Sequence, residues 1–258
     1  MSTILFNEIV FGPIKSRRLG VSLGVNLLPL HGKLCNFDCV YCECGFNKDG
    51  KEDKKLPTVQ EVRDALILKL RDHDLTIGKI DTITFSGNGE PTLHPSFPEI
   101  IEIALELRDK YAIEAKVSVL TNGSGIGKPL IAQALLKIDN AIIKIDSAFH
   151  KTVTLIDRPL YNYSLEKLIG DLEIFKGKFV LQTMFLRGEI DGEVIDNTTP
   201  QEISAWYGVV ERVKPREIMI YTIDRETPLA GLQKVSVKKM EEIAGPLRAK
   251  GYKISISG

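Results

Sequence analysis

Four cysteines lie within ten residues of this 258-residue chain, at positions 35, 39, 42 and 44, and its sequence contains no others. Thiolates are soft ligands that suit iron–sulfur clusters and zinc, and a short loop can wrap several of them around one metal centre. A disulfide framework would instead spread its cysteines along the chain to close long loops. The spacing therefore predicts a metal centre.

Two kinds of metal centre are compatible with these thiols. Cys35, Cys39 and Cys42 can bind three irons of a [4Fe-4S] cluster, which leaves the fourth iron open for a cofactor or a substrate. With Cys44 as a fourth ligand, the same loop can close a tetrahedral zinc site. Structural zinc sites usually pair two separated knuckles, whereas these cysteines are crowded into one run. We therefore favour the cluster and interpret Cys44 as a bystander or a redox-sensitive thiol.

The elements that must position this loop alternate between strands and helices. Runs of β-branched and apolar residues predict strands, and apolar residues that recur every three or four positions predict helices. The predicted strands are residues 21–27, 80–85, 116–120, 141–146, 179–184, 217–221 and 253–256. The predicted helices are residues 59–70, 97–110, 129–137, 165–175, 200–212 and 237–250. Such alternation predicts a parallel sheet covered by helices.

Polar motifs follow one strand after another. They are residues 35–44, 86–91, 121–123, 146–147, 187–189 and 222–225. An open sheet gathers its ligand only at one switch point, whereas a barrel brings the carboxyl ends of all its strands to one face. Because six strand–helix units are fewer than the eight of a closed barrel, we predict an α/β fold in a single domain over residues 1–258, a partial (β/α)6 TIM-like barrel of mainly parallel strands.

Composition and charge indicate which partners and which compartment to expect. Lys and Arg together number 34, as do Asp and Glu, so the formal net charge is zero and gives no basic footprint for nucleic acid. No stretch has the apolar length that crosses a bilayer, and residues 1–11 lack the features of a signal peptide. We expect a cytoplasmic protein with neither a membrane nor a nucleic acid as partner.

The cysteine spacing resembles a known family. Cys35, Cys39 and Cys42 form a C-x3-C-x2-C loop with Tyr41 before the last cysteine, which resembles the signature of radical S-adenosylmethionine (SAM) enzymes. The resemblance implies that SAM chelates the open iron of a [4Fe-4S] cluster and is cleaved reductively. The resulting 5'-deoxyadenosyl radical abstracts hydrogen from a small-molecule or protein substrate, which the sequence does not identify. A reductant such as flavodoxin or ferredoxin is implied as well.

The resemblance extends to the SAM-binding motifs. The segment at 87–91, Gly-Asn-Gly-Glu-Pro, resembles the family's GGEP motif, with Asn88 in place of the second glycine; Glu90 then either contacts the amino group of SAM or shapes the loop. Ser118 and Asn122 are candidates for ribose contacts, and Tyr41 for packing near the adenine. Lys144 and Asp146 predict either a buried ion pair or a ligand clamp. The residues predicted to bind SAM are Tyr41, Asn88, Glu90, Ser118, Asn122, Asp146 and Gln182.

The ensemble of motifs also resembles one subgroup, the wyosine-base-forming-like iron–sulfur oxidoreductases. That subgroup's tRNA-modifying members imply further cysteines and a basic surface, which this sequence lacks, so a tRNA substrate is not expected. A compact activase of glycyl-radical enzymes remains an alternative, as do a zinc-stabilised barrel that acts as a binding protein and an electron carrier. The cations Lys15, Arg17 and Arg18 either meet the carboxylate of SAM or of an anionic substrate, or form a solvated loop. Segment 187–212 either covers the substrate mouth or packs as an ordinary part of the fold.

Overall fold

A computed structural model describes residues 4–50, 53–72 and 78–258 of the chain. Its strands are β1 Val10–Ser16, β2 Gly20–Val25, β3 Thr82–Phe85, β4 Lys116–Thr121, β5 Asn140–Lys144, β6 Val180–Ile190, β7 Glu193–Asp196, β8 Glu217–Thr222, β9 Gln233–Lys234 and β10 Ile254–Ser257. Its α-helices are α1 Val59–Arg71, α2 Phe97–Tyr111, α3 Pro129–Lys137, α4 His150–Asp157, α5 Leu165–Leu172, α6 Pro200–Val213 and α7 Val237–Ala249. Short 3-10 turns span Asn47–Gly50, Pro91–Leu93 and Glu173–Phe175.

The strands form one curled sheet in the order β1-β2-β3-β4-β5-β6-β8-β10. From β2 to β10 along this path every described pair is parallel, while β1 pairs antiparallel with β2 at the edge. Helices connect the successive parallel strands, as right-handed crossover units require. The predicted α/β fold, a partial TIM-like barrel in a single domain, is confirmed.

Local sequence explains where the first helix begins. The Thr58 side chain accepts a hydrogen bond from the backbone N–H of Glu61 at 3.2 Å, and the Glu61 carboxylate accepts one from the N–H of Thr58 at 2.7 Å. This reciprocal capping box satisfies two donors that a helix start leaves free. The buried residues Val62, Leu66 and Leu70 then recur on the face that packs on the sheet.

The two faces of the sheet differ in chemistry. On the outer face, residues such as Leu23, Ile83 and Val119 are fully buried under the helices. The concave face, here called the barrel lumen, carries an apolar patch of Ile142, Val180 and Met219, against which Leu19 and Leu120 pack.

Above and beside the apolar patch, the lumen is polar. The hydroxyls of Ser22 and Thr84 lie 2.8 Å apart, as do those of Thr82 and Ser118. A half-barrel that binds a ligand needs polar groups in its lumen. A lumen as apolar as the core beneath the helices would leave the polar atoms of a ligand without hydrogen bonds.

Four elements differ from the sequence-based expectation, namely β1, β7, β9 and α4; β9 is a two-residue strand that pairs antiparallel with β6. β1 was not predicted, because Gly12 and Pro13 interrupt its alternation and its register shifts between Phe11 and Ile14. α4 was not predicted either, since eight residues give too short a periodic pattern. Residues 187–199, predicted as a loop, contain the end of β6 and its antiparallel partner β7. Pairing with a neighbouring strand, which no local pattern specifies, creates both β1 and β7.

Smaller differences concern element ends. The helix predicted over 165–175 ends at Leu172 and continues as the 3-10 turn Glu173–Phe175.

Within the described ranges, no helix has the length and apolar character needed to cross a membrane. Of residues 1–11, on which the expectation of no signal peptide rests, the first three lie outside the described residues.

Candidate metal and cofactor site

The cysteine loop follows β2 and is fastened to the loop after β3 by backbone pairing. The N–H of Leu34 donates to the carbonyl of Asn88 at 2.9 Å, and the N–H of Glu90 donates to the carbonyl of Leu34 at 3.1 Å. Gly89 lies between them with φ +136°, a conformation that side-chain-bearing residues rarely adopt. The two motifs that the sequence singles out are therefore one structural unit at the carboxyl ends of β2 and β3.

The four thiols face this junction and are partly buried. The Sγ of Cys35 accepts from the N–H of Phe37 at 3.4 Å, and the Sγ of Cys44 lies 3.3 Å from the carbonyl oxygen of Gly87. Burial raises the pKa of Cys35 to about 12. A hydrogen bond from Cys44, helped by the cation of Lys33, lowers the pKa of Cys42 to about 6.

Two lysines flank the thiols, Lys33 buried and Lys144 partly buried. Lys33 donates from Nζ to the carbonyl of Gly45 at 2.7 Å, and burial works to lower its pKa, but the thiolates and Asp38 together raise it. On the other side the Nζ of Lys144 lies 3.7 Å from the Sγ of Cys39. Cations beside thiols favour the thiolate forms that a metal needs.

Lys144 belongs to a buried network with Tyr41. Its Nζ lies 3.0 Å from Oδ2 of Asp146 and pairs with Asp157, while the Tyr41 hydroxyl donates to Asp146. Burial raises the pKa of Tyr41 strongly and that of Asp157 to about 7, so the phenol stays protonated. Burial lowers the pKa of Lys144, but the carboxylates of Asp146 and Asp157 outweigh it and raise the pKa well above its ordinary value. Lys144 is therefore a fixed cation between two carboxylates.

The donor set fits a [4Fe-4S] cluster. Three soft thiols stand on one loop, and the buried Lys33 and the partly buried Lys144 offset the negative charge that thiolates and sulfides carry. Within the described part of the chain, no group of three or more His, Cys, Asp or Glu side chains is gathered tightly enough to hold a single metal ion. A four-iron cluster has different needs, because its protein ligands bind separate iron atoms.

Two of the predicted SAM ligands have their side chains occupied by the protein. The buried Glu90 carboxylate accepts hydrogen bonds from the hydroxyls of Thr92 and Thr121, both at 2.6 Å, and from the N–H of Asn122 at 2.8 Å. Burial raises its pKa, and these hydrogen bonds act in the opposite direction. The Asn88 amide bonds to the backbone of Phe6 and to the carbonyl of Pro29. Both side chains shape the loop.

The other predicted residues divide by depth. Asn122 lies at the mouth, with Nδ2 2.9 Å from Oδ1 of Asn36 and 3.9 Å from the Sγ of Cys35. Ser118 lies deeper in the lumen, where its hydroxyl bonds to Thr82 and accepts from Asn140 at 3.0 Å.

Asp146 and Gln182 complete the predicted set. Asp146 accepts from the N–H of Met184 at 2.9 Å, whereas the Nε2 of Gln182 is buried without a hydrogen-bond partner among the described residues. The structure thus brings Asn122 and Asp146 to the cysteine loop, which contains Tyr41, and leaves Ser118 apart from it. The Asn88 backbone is paired with Leu34 beside the loop, but its side chain bonds to Phe6 and Pro29.

Three residues of the site were missed from the sequence. Lys33 has a recognisable signal, since it stands two positions before Cys35. Asp157 and Asn197 have none: Asp157 ends the unpredicted α4, and Asn197 follows β7 and donates from its amide to the carbonyls of Asp146 and Met184. Their roles depend on which strand ends the fold brings together.

Sequence comparison places the chain among known proteins. The family model of the Radical SAM superfamily matches residues 30–197. A protein of Brachyspira hyodysenteriae named GTPase Obg is 31% identical over 237 residues, which make up 90% of this chain but only 32% of that protein. A UPF0026 protein of Helicobacter pylori is 31% identical over 220 residues, 84% of this chain and 67% of that protein. The chain thus spans about a third of the first relative's length and two thirds of the second's.

Structural comparison agrees on the fold. A radical SAM methyltransferase from Sphaerobacter thermophilus superposes with a TM-score of 0.67 at 14% identity, over 91% of this chain and 65% of that one. At this identity the likeness concerns the fold alone. The family match covers well over half of the chain and includes both the cysteine loop and the Gly-Asn-Gly-Glu-Pro segment, so this protein belongs to the Radical SAM superfamily, whose enzymes use a [4Fe-4S] cluster and SAM.

Proposed function

We propose that Cys35, Cys39 and Cys42 hold the [4Fe-4S] cluster, and that this chain cleaves SAM reductively to abstract a hydrogen atom from a small-molecule or protein substrate. The observation that carries the proposal is the backbone pairing of Leu34 with Asn88 and Glu90, because it joins the cysteine loop to the Gly-Asn-Gly-Glu-Pro segment at the mouth of the half-barrel. When bound, the reduced cluster supplies the electron that splits SAM into methionine and a 5'-deoxyadenosyl radical.

The protein's own contribution is to orient SAM and to exclude water. Asn122 stands beside Cys35 with a backbone held by Glu90, so its amide is preorganised to bind a polar group of SAM. The Tyr41 ring is fixed by its hydrogen bond to Asp146 and offers a flat surface next to Cys39 and Cys42. Asp146, whose oxygens accept from Tyr41, Lys144 and the N–H of Met184, acts on this mouth by holding Tyr41 and Lys144 in place.

The proposed reaction also needs an electron donor and a route for the substrate. Free thiols and a reducible cluster suit a reducing cytoplasm, where we place the protein, with a reductant such as flavodoxin or ferredoxin as its electron donor. The β6–β7 hairpin and α6, which make up most of segment 187–212, rise beside Asp146 through Asn197. We assign this segment to the rim of the substrate mouth.

The test is anaerobic reconstitution with iron and sulfide, followed by SAM and dithionite. Wild type should hold four irons per chain, show the absorption and EPR signals of a [4Fe-4S] cluster, and release 5'-deoxyadenosine. Cys39→Ala should lose the cluster and the product together. Cys44→Ala is the matched control in the same loop and should keep both. Cluster and product retained by Cys39→Ala, or lost by Cys44→Ala, would overturn the ligand assignment.

A further inference from the structure

A cavity of about 390 Å³ runs from the cysteine loop into the barrel lumen. Cys44 and Gly87 line its upper end, at the carboxyl ends of the strands, while Thr84 and Arg18 line its lower part. Phe11, Leu19 and Leu120 add apolar surface to the wall. The wall also carries charged and hydroxyl side chains, so about half of it is polar. A cavity of this volume is typical of small-molecule sites, and its mixed wall suits a ligand that has both a charged group and an apolar body.

Most charges around this cavity are already paired. Arg17 pairs with Asp224 at 3.2 Å, and Arg225 pairs with Glu43 at 2.5 Å. Arg18 differs: its guanidinium lies over the Tyr221 ring, 4.5 Å from the ring centre, and its buried Nη1 makes no hydrogen bond to any residue that the structure describes. A buried cationic donor without an acceptor costs free energy that a bound anion would recover.

Gln182 provides an independent second donor in the same lumen. Its side chain is 5% exposed, and its Nε2 is buried with no acceptor among the described residues. Because side chains alternate along a strand, Gln182 shares the lumen face of Val180, and it lies across from Met219 on β8. Met219 and Tyr221 share that face of β8, so Gln182 and Arg18 line neighbouring parts of one lumen.

We propose that this lumen is the substrate site and that the substrate is a small organic carboxylate with an apolar body, its carboxylate held by Arg18 and an oxygen atom held by Gln182. The proposal rests on the SAM-cleaving function proposed above. Stacking on Tyr221 leaves the edge of the Arg18 guanidinium free, and that edge matches the two oxygens of a planar carboxylate. The apolar side chains Leu19 and Leu120 suit the body of such a molecule.

Arg18 approaches the lumen from the end opposite to the cysteine loop. Arg18 and Leu19 also line a second opening at the amino ends of the strands, together with Thr82, Asn140 and Met219. The residues proposed to hold the cluster and SAM stand at the opposite, carboxyl mouth. The Arg18 side chain enters the lumen from the amino ends and reaches up to Tyr221, which packs beside Tyr41 of the cysteine loop. The Arg18 guanidinium is therefore within reach of a substrate that lies next to SAM, and the measurement of SAM affinity below distinguishes a substrate contact from a SAM contact.

The test uses fluorine NMR on the reconstituted protein, with 4-fluorobenzoate as probe and neutral 4-fluorobenzamide as its control. Removing a buried charge-assisted hydrogen bond in Arg18→Gln should weaken probe binding about tenfold or more. Gln182→Leu should weaken it less, and wild type should bind the amide at least about tenfold more weakly than the acid. Arg225→Gln changes the same charge in the same cavity at a cation that is already paired, and should change probe binding less than about twofold.

Three readouts keep the outcomes distinct. SAM affinity and 5'-deoxyadenosine release without substrate should stay at the wild-type level in Arg18→Gln. Three results would show that the substrate assignment is wrong. They are a loss of SAM affinity in Arg18→Gln as large as the loss of probe binding, displacement of the probe by phosphate but not by benzoate, and the absence of saturable probe binding in wild type. Failure of wild type to cleave SAM would overturn the proposed function instead, and probe binding is measured separately from it.

Discussion

A Cβ atom on Gly89 would lie 1.9 Å from the carbonyl oxygen of Leu34. Contact at that distance is impossible, so the cysteine loop can approach the loop after β3 only because position 89 has no side chain. The close approach creates the hydrogen bonds of Leu34 to both neighbours of Gly89. The joining of the two motifs thus depends on one glycine.

Gly89→Ala should destabilise the protein and displace the cysteine loop. Overpacking and a positive φ together should cost about 2–5 kcal/mol of unfolding free energy, measured by urea denaturation of the metal-free protein, and iron retention after reconstitution should fall. Gly245→Ala is the control, since a Cβ there meets open space within α7, and it should be neutral or stabilising by about 1 kcal/mol. Equal stability of Gly89→Ala and wild type would contradict the close approach.

Lys144→Met should leave Asp146 and Asp157 buried without their cation. Breaking a buried ion pair by removing one partner costs about 3–5 kcal/mol, which urea denaturation of the metal-free protein can measure. Adding Asp157→Asn should recover at least about 1 kcal/mol when stability is measured well above the pKa of Asp157, because the carboxyl is otherwise charged there without its cation. A double variant no more stable than the single one would show that Lys144 does not act through Asp157.

Stability should fall below neutral pH because of His94. Its Nε2 lies 2.8 Å from the carbonyl of Pro57, and its Nδ1 accepts from the N–H of Ser96 at 3.1 Å, so protonating Nδ1 breaks a hydrogen bond. Burial lowers the pKa of His94 below its ordinary 6.5, and the bond to Pro57 opposes this more weakly. Just below pH 6.5, His94 therefore binds a proton in the unfolded chain but stays neutral in the folded chain. The free energy of unfolding is lost as pH falls from 6.5 through the pKa of His94 in the folded protein.

The measurement is the unfolding free energy of the metal-free protein between pH 8 and pH 5. His94→Gln should flatten that part of the profile, whereas His150→Gln, at an exposed position at the start of α4, should keep the wild-type slope. A slope unchanged by His94→Gln would assign the loss to other groups.

Asn88→Ala should affect folding without affecting SAM. The substitution leaves the N–H of Phe6 and the carbonyl of Pro29 without their partner, which should cost about 2–3 kcal/mol. SAM affinity, measured by equilibrium dialysis on the folded, reconstituted protein, should change less than about twofold, or 0.4 kcal/mol. Weaker SAM binding at unchanged stability would instead support the contact implied by the GGEP resemblance.

The fold was largely readable because its signals are local. Six helices and seven strands follow from periodicity and capping, as Thr58 and Glu61 illustrate at α1. β1, β7 and β9 were missed because each exists only through antiparallel pairing with a neighbour, β2 or β6, and their residues carry no alternation of their own.

The site was readable only in part, for the same reason. Cys35, Cys39 and Cys42 are recognisable because metal ligation on one loop imposes a short, fixed spacing. The sequence left open whether Glu90 shapes the loop, and it did not predict that role for Asn88. Their partners, Thr121 and Phe6, come from distant segments.

By itself the sequence determined the chemistry of the metal loop, the order of strands and helices, and the concentration of polar residues after each strand. These depend on residue type and spacing over a few positions. The tertiary structure alone decided that Lys144 meets Asp157, that Gly89 meets Leu34, and that Arg18 reaches over Tyr221 with its Nη1 unpaired among the described residues. Curling of the sheet brings those residues together, and the curvature arises from the packing of the whole sheet rather than from any one segment.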